Sequence, residues 1–121
     1  MLNKIVIMGR MTRDPELRYT KNETPVASFT LAVDRDMGDK QTDFIDCVAW
    51  RKTAEFANTY FHKGQMTIVS GRLQMRDWEK DGVKHRAAEV MVDNIYFGEA
   101  RNSAQKPALV ELDDSEEGLP F

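Results

Sequence analysis

The segment from Asp43 to Lys52 has the β-branched and aromatic content of a strand, and the two faces of such a strand differ in chemistry. One face carries small apolar side chains that suit a core, namely Ile45, Cys47 and Ala49. The other face carries aromatic rings beside charged groups, namely Phe44, Asp46, Val48, Trp50 and Lys52. Aromatic rings interleaved with cations on an accessible sheet face are typical of surfaces that bind single-stranded nucleic acid. The segment therefore predicts such a binding face or, alternatively, a strand whose Phe44 and Trp50 fill the inside of a barrel.

The remainder of the first hundred residues has the pattern of short strands around one helix. Strand character occurs at 3–12, 26–35, 43–51, 65–78 and 83–92, with 94–98 closing the last strand and 17–19 available as a short return strand. Three strands, a helix and two strands form the element order of a five-stranded, all-β OB-fold barrel. For that order alone, a generic β-rich α+β domain is the alternative.

The helical segment is predicted over 53–63, because its apolar residues are spaced for a single helix stripe. The stripe consists of Phe56, Ala57, Tyr60 and Phe61. Thr53 can cap the first turn and Gly64 can end the helix. His62 and Lys63 would then lie in the last turn, where cations suit the helix dipole.

The first strand is apolar on both of its faces. Ile5, Val6, Ile7 and Met8 follow one another without a polar residue between them. A strand of this kind is predicted to be covered on both sides.

A second strand has a face like that of the first segment. Arg72, Gln74, Arg76 and Trp78 alternate along 71–78, with Gly71 as a predicted bend. Lys80, Asp81 and Gly82 carry the hairpin signal, and Lys84 and Arg86 share parity on the returning strand. Guanidinium groups bind phosphates and aromatic faces stack on bases, so this strand predicts a second part of a nucleic-acid surface. The alternative is a solvated strand with ordinary surface charges.

The charge is divided unevenly along the chain, whose formal net charge is −3. Residues 1–102 hold 16 of the 17 Lys and Arg and 15 of the 20 acids, whereas residues 103–121 hold one Lys and five acids. The body is therefore nearly neutral, and a basic face depends on patterning rather than on totals. With few apolar groups to offset the entropy of ordering, the acidic segment 103–121 is predicted to be disordered in isolation.

Enzymatic constellations are not evident in the sequence. His62 and His85 lie on different predicted elements, and Asp43 and Asp46 point to opposite faces of one strand. Cys47 is the single cysteine, which excludes an internal disulfide and a cysteine-cluster zinc site. We therefore expect a protein without catalytic activity, metal or other cofactor.

The chain also shows no membrane or export signal of its own. No run approaches the roughly 18 apolar residues that a spanning helix needs. The first residues have no signal-peptide pattern, which together with the single cysteine favours the cytoplasm.

The sequence as a whole resembles the bacterial and phage single-stranded DNA-binding protein family. The resembling segments are 3–10, 14–19, 26–33, 43–52, 63–64, 71–78 and 89–92. The acidic segment followed by Leu119, Pro120 and Phe121 is similar to the partner-docking tip of that family. The resemblance implies an OB-fold domain over 1–101, a short linker over 102–112 and a protein-interaction tip over 113–121.

The resemblance also implies a homotetramer that wraps single-stranded DNA without sequence dependence. It further implies roles for individual residues of this sequence. The base-stacking positions are Phe44, Trp50 and Trp78. The candidate phosphate contacts are Lys4, Arg10, Lys52, Arg72, Arg76, Lys84 and Arg86. The tip residues that would dock replication, recombination and repair proteins are Asp113, Asp114, Glu116, Glu117, Leu119, Pro120 and Phe121.

Two features of this surface depart from a simple basic platform. Met37 stands near a position where some members of the family carry a further stacking tryptophan. Asp46 places a carboxylate on the predicted binding face. We expect Asp46 to pair with a nearby cation or to lie at the edge of the groove.

Overall fold

The computed structural model describes residues 1–36 and 40–99, and within them the chain forms six strands and one helix. The strands are β1 (Ile5–Met11), β2 (Glu16–Tyr19), β3 (Pro25–Asp34), β4 (Thr42–Trp50), β5 (Met66–Lys80) and β6 (Val83–Phe97), and the helix α1 (Arg51–Tyr60) lies between β4 and β5. The five long strands and the position of the helix confirm the predicted OB-fold order. The short return strand is β2. Met37 and the segment 100–121, which holds the whole predicted linker and the acidic tip, lie outside the described residues.

The strands form one sheet that closes on itself. Their order is β1-β5-β6-β4-β3-β2, and β1 also pairs with β3 through Arg10 with Ala32 and Met11 with Leu31. The pairing of β4 with β6 is parallel, whereas the other described pairings are antiparallel. Closure of the sheet gives a small barrel whose interior is filled by alternate side chains of each strand.

The core consists of the inward-facing residues of these strands together with one side of α1. Apolar residues that are almost fully buried include Ala27, Phe29, Leu31, Cys47, Ala49, Ala54, Ala57, Phe61, Val69 and Val90. Ala27, Phe29 and Leu31 alternate along β3 and are buried, in agreement with the strand predicted over 26–35. Ala54, Ala57 and Phe61 fasten the helix to the barrel, because apolar area removed from water stabilises the packed state.

The first strand, β1, differs from its predicted burial on one of its two faces. Ile5 and Ile7 pack against the core, but Val6 and Met8 are 62% and 52% exposed in this single chain. The barrel wall is one sheet thick, so only alternate residues of β1 can reach its interior. Within the single chain the predicted covering of both sides is therefore not found, since the face of Val6 and Met8 is open.

The helix begins and ends earlier than predicted. Trp50 is still paired with Val26 in the sheet, so β4 passes directly into α1 at Arg51, whose φ of +59° makes the turn. Thr53 therefore lies inside the helix rather than at its cap. At the other end the amide of Phe61 donates to the Ala57 carbonyl oxygen at 3.0 Å, and the chain leaves the helix there.

The residues that follow the helix belong to a turn. The amide of Gln65 donates to the His62 carbonyl oxygen at 3.1 Å, and the amide of Gly64 donates to the Met11 carbonyl oxygen at 2.7 Å. The prediction of Thr53 as cap was wrong, because the sheet sets where the helix can start. The prediction of His62 and Lys63 in the last turn was also wrong, because the chain leaves the helix at Phe61.

Two glycine positions shape the β5–β6 hairpin. A register shift occurs between Ser70 and Gly71, where a Cβ on Gly71 would collide with the carbonyl oxygen of Met91. At the tip, Asp81 and Gly82 have φ angles of +53° and +79°. Positive φ at both central residues is the geometry of the two-residue hairpin turn that Asp-Gly favours. The predicted bend and the predicted hairpin turn are both confirmed.

Candidate nucleic-acid interface

The outward face of β4 exposes the aromatic rings that the sequence singled out. Phe44 is 68% exposed and Trp50 is 38% exposed, whereas Cys47 and Ala49 between them are buried. The predicted division of this strand into a core face and an outer face is confirmed. The alternative in which Phe44 and Trp50 fill the barrel is wrong.

The outer face of β5 continues the same surface across β6. Arg72, Gln74, Arg76 and Trp78 lie opposite Met91, Glu89, Ala87 and His85 of β6, in that order. The guanidinium carbon of Arg76 lies 4.6 Å from the centroid of the Trp78 ring, a cation–π arrangement. The predicted shared face of Arg76 and Trp78 is therefore present as a direct contact.

His85 is a contact that the sequence reasoning missed, since it was considered there only as part of a possible enzymatic constellation. Its ring stacks on that of Trp78, with centroids 5.2 Å apart and an interplanar angle of 18°. The sequence signal for this contact is the hairpin turn, which sets the pairing of the two strands. Once Asp81 and Gly82 are its two central residues, Lys80 pairs with Val83, and two steps back along each strand Trp78 meets His85.

Lys84 and Arg86 occupy the opposite face of the hairpin. They pair in register with Glu79 and Asp77, and Arg86 Nε donates to Asp77 Oδ1 at 2.7 Å. Both members of this ion pair are largely exposed, so its contribution to stability is small. The structure does not bring these two cations to the face of Arg76 and Trp78.

The remaining cations lie at the borders of this face. Arg10 pairs with Ala32, which in turn pairs with Phe44, so Arg10 and Phe44 are two strand spacings or about 10 Å apart. Lys4 precedes Ile5, the partner of Gly71, and is therefore next to the start of the Arg72 segment. Lys52 was predicted to share the face of Phe44, but it lies in the first turn of α1 because the strand ends at Trp50.

Arg10 is partly engaged at the edge of the barrel. Its Nη1 donates to the carbonyl oxygen of Gly64 at 3.0 Å and lies 3.5 Å from Glu99 Oε1. The ion pair is exposed and therefore weak. Arg10 could exchange it for a phosphate at little cost.

A groove of about 370 Å³ crosses the middle of the outer face. Its lining residues are Arg13, Ser28, Phe29, Thr30, Asp46, Cys47, Val48, Arg76 and Glu89. Arg13 was missed by the sequence reasoning, since it follows the end of β1 and has no strand periodicity that would assign it to a face. The groove combines hydroxyl groups, two guanidinium groups and two carboxylates.

Among residues 1–36 and 40–99, no cation forms an ion pair with Asp46, whereas a cationic partner or a place at the groove's edge was expected. Its Oδ1 accepts a hydrogen bond from Thr30 Oγ1 at 2.9 Å, and in the parallel pairing of β4 with β6 it lies directly opposite Glu89. Glu89 Oε2 is 3.5 Å from Arg76 Nε, and the Glu89 side chain is only 14% exposed. The two carboxylates therefore line the groove rather than its edge.

Asp46 and Glu89 also affect the pKa of the Cys47 thiol, which lies on the core face of β4. Burial, followed by the charges of Asp46 and Glu89, raises the pKa of Cys47 to about 12. A thiol with this pKa is protonated at neutral pH and is a poor nucleophile. Cys47 is a packing residue, as its place on the core face predicted.

Asp43 is engaged on the other side of β4. Arg35 donates to both of its oxygens, from Nε to Oδ2 at 3.1 Å and from Nη2 to Oδ1 at 3.0 Å. These hydrogen bonds hold the pKa of Asp43 below its ordinary value and raise that of Arg35. The pair links Arg35, which follows β3, to the segment that leads to Phe44.

Residues 1–36 and 40–99 contain no group of three or more His, Cys, Asp or Glu side chains placed to hold a metal ion. Over the same ranges no helix has the length and apolar character needed to cross a bilayer.

Comparison with known proteins shows to which family the chain belongs. The model of the single-strand binding protein family matches residues 2–98. The chain belongs to this family. The family is described by single-strand binding rather than by a reaction, which agrees with the expectation of a protein without catalytic activity.

Curated relatives carry names of the same kind. The single-stranded DNA-binding protein of Bacillus cereus is 46% identical over 107 residues, covering 84% of this chain and 63% of the relative. That of Halalkalibacterium halodurans is 47% identical over 108 residues, covering 85% and 64%. Single-stranded DNA-binding protein A of Bacillus subtilis is 45% identical over 107 residues, covering 84% and 62%. The chain thus spans less than two thirds of the length of these three relatives.

Proposed function

We propose that this protein binds and protects single-stranded DNA without strict sequence dependence. The observation that carries the proposal is the outer face that joins Phe44 and Trp50 on β4 to Arg76 and Trp78 on the β5–β6 hairpin. Exposed rings can stack on bases of any identity, since every base has a π face. The nearby guanidinium groups can hold the phosphate backbone. The names of the relatives support the same activity.

Proximity of rings and cations suits a single strand better than a duplex. In a duplex the faces of the bases are covered by their neighbours, whereas a single strand can splay its bases onto aromatic side chains. The candidate phosphate contacts border the aromatic positions from two strands and from the chain before β1, and they are Lys4, Arg10, Arg72 and Arg76. Lys52 approaches from α1, and Lys84 and Arg86 could hold a strand that wraps around the hairpin.

The experiment is a titration of the protein with oligo-dT, followed by tryptophan fluorescence at several salt concentrations. The chain has two tryptophans, and both lie on the proposed surface. Stacking predicts quenching, and release of counterions predicts an affinity that falls as salt rises. Absence of quenching, or an affinity that does not change with salt, would refute the proposal.

The homotetramer predicted from the family resemblance is part of the proposal. Val6 and Met8 are exposed on β1, and their register partners on β5 are Ser70 and Ile68. An exposed apolar strand face of this kind fits association with a second copy of the chain. Sedimentation at equilibrium should give four times the chain mass of 13.9 kDa, and Met8→Lys should lower the mass observed. A wild-type protein that remains monomeric would contradict this part.

The acidic tip is the second proposed activity, carried by the sequence of residues 113–121. Acids followed by Leu119, Pro120 and Phe121 make a peptide ligand suited to an apolar pocket with a basic rim on another protein. The tip, reached through the linker at 102–112, would recruit replication, recombination and repair proteins to DNA in the cytoplasm and nucleoid.

The recruitment can be tested with DNA-bound protein on beads. Proteins captured from a cell extract by the full chain and by a Phe121→Ala variant are compared by mass spectrometry. Loss of replication, recombination or repair proteins from the variant supports recruitment by the tip. Equal capture of those proteins by both forms argues against it.

A further inference from the structure

Two carboxylates, Asp46 and Glu89, lie side by side in the middle of a surface proposed to bind a polyanion. They are direct partners in the parallel pairing of β4 with β6, and both line the groove. We refer to them as the carboxylate pair. A phosphate placed over Asp46 would meet like charge, whereas Arg13 and Arg76, the latter 3.5 Å from Glu89, line the same groove with positive charge. The backbone of the DNA therefore has to follow these guanidinium groups.

A continuous polar row passes through the carboxylate pair. Register places Thr30 beside Asp46, Asp46 beside Glu89 and Glu89 beside Gln74, across β3, β4, β6 and β5. Thr30 Oγ1 donates to Asp46 Oδ1 and so orients that carboxylate within the groove. A carboxylate has about four acceptor sites, so this bond leaves Asp46 with capacity for further donors.

The row is adjacent to a proposed stacking position. Phe44 is two residues before Asp46 on the same face of β4, a spacing of roughly 7 Å along a strand. A base that stacks on Phe44 would therefore present its polar edge to the next outward side chain, which is Asp46. What meets the carboxylate pair is then a base edge rather than a phosphate.

We propose that the carboxylate pair accepts hydrogen bonds from the exocyclic amino groups of bases and so adds a base preference to the binding. Cytosine and adenine offer an amino donor on that edge, whereas thymine offers the O4 acceptor, which a carboxylate repels. The preference rests on the proposed single-stranded DNA binding and goes beyond it, since stacking and phosphate contacts alone would not distinguish position 4 of a pyrimidine.

The test uses two homopolymers with matched stacking area. Oligonucleotides of 5-methyldeoxycytidine and of thymidine have the same ring size and methyl group, and they differ in the 4-amino or 4-oxo group and in the N3 protonation that accompanies it. Affinities for both are measured at pH 8 for wild type, Asp46→Asn and Glu89→Gln. The quantity of interest is the ratio of the two affinities, because removal of a negative charge strengthens binding to both polymers alike.

We expect the ratio to move toward thymidine by about fivefold or more in each variant, since a carboxylate accepts more strongly than an amide and the new amide can donate to O4. Glu55→Gln is the matched control: it removes one acid from the exposed side of α1 and should leave the ratio unchanged. Ratios that are the same in wild type and in both groove variants would overturn the inference while leaving DNA binding intact. Failure of the wild type to bind either polymer would instead remove the proposed function on which it rests.

Discussion

The guanidinium carbon of Arg76 lies 4.6 Å from the centroid of the Trp78 ring, and His85 stacks on the same ring from the neighbouring strand. Arg76 also approaches Glu89 at 3.5 Å, so its position is defined on two sides. A cation that is already held beside an aromatic ring loses less freedom when it binds a phosphate. The hairpin therefore presents stacking and charge as one prearranged unit.

The aromatic residues should each contribute to affinity. Replacement of Phe44, Trp50 or Trp78 by alanine is expected to weaken binding to oligo-dT by roughly 1–3 kcal/mol, the usual value of one base–aromatic stack. Fluorescence anisotropy of labelled oligo-dT measures the affinities. Tyr60→Ala, which removes an exposed ring from α1, should bind as the wild type does. Equal losses at Tyr60 and at the three proposed positions would mean that the stacking surface has been misplaced.

Arg76 should act through a phosphate contact. Arg76→Gln is expected to weaken binding for every sequence and to reduce the slope of log affinity against log salt by about 1. The control is Arg18→Gln, because Arg18 is exposed on β2 and is occupied by Glu16 at 2.8 Å. A slope that is unchanged in Arg76→Gln would show that Arg76 positions Trp78 without contacting the backbone.

The Arg35–Asp43 pair should make a small contribution to stability that depends on pH. Because hydrogen bonds from Arg35 lower the pKa of Asp43 in the fold, the contribution is complete above the carboxyl pKa of the unfolded chain. It is lost as pH falls through the lowered pKa of the folded protein. Asp43→Asn should therefore melt below wild type at pH 7, with a difference that shrinks once the pH falls below the ordinary aspartate value of about 3.9 and vanishes below the lowered pKa of folded Asp43.

Thermal melts at a series of pH values check this behaviour, and Arg35→Gln should reproduce it. In the double variant the second change should add little, since the two groups act as a unit. A melting difference that stays constant down to pH 2 would assign the effect of Asp43→Asn to something other than its charge.

Residues 113–121 should compete with DNA for the cationic surface. Their acids are attached to a nearly neutral body, and attraction between exposed charges is strongest when salt is low. Removal of 113–121 is expected to raise the affinity for oligo-dT at low salt, with a difference that fades as salt increases. An unchanged affinity across the whole salt range would exclude the competition. Replacement of the four tip acids by their amides separates charge from length.

Much of this arrangement follows from local patterns in the sequence. Alternation alone assigns Phe29 and Cys47 to the core and Phe44 and Trp50 to the outer face, because a strand has only two faces. The Asp81-Gly82 turn is also a local signal, and it predicts the pairing of the residues next to it in the hairpin arm.

The features that sequence reasoning missed depend on contacts between distant residues. Glu89 comes to lie beside Asp46 through a parallel pairing of strands that are more than 30 residues apart, which neither segment reveals by itself. Lys52 leaves the outer face because the chain turns at Arg51, and the sheet rather than the helix propensity sets that point. Val6 and Met8 are apolar but exposed, since an apolar pattern does not say whether the covering surface belongs to the same chain.

The hairpin arm has its register set at both ends. At the barrel the irregularity between Ser70 and Gly71 sets it, and at the tip the turn at Asp81 and Gly82 sets it again. Among the described residues, positions 72–80 pair solely with β6, so no third strand corrects a mismatch between the two settings. A single deletion in one strand of the arm would turn the side chains beyond it to the other face and separate Trp78 from His85. Evolution can lengthen or shorten this arm without loss only by matched changes in both of its strands.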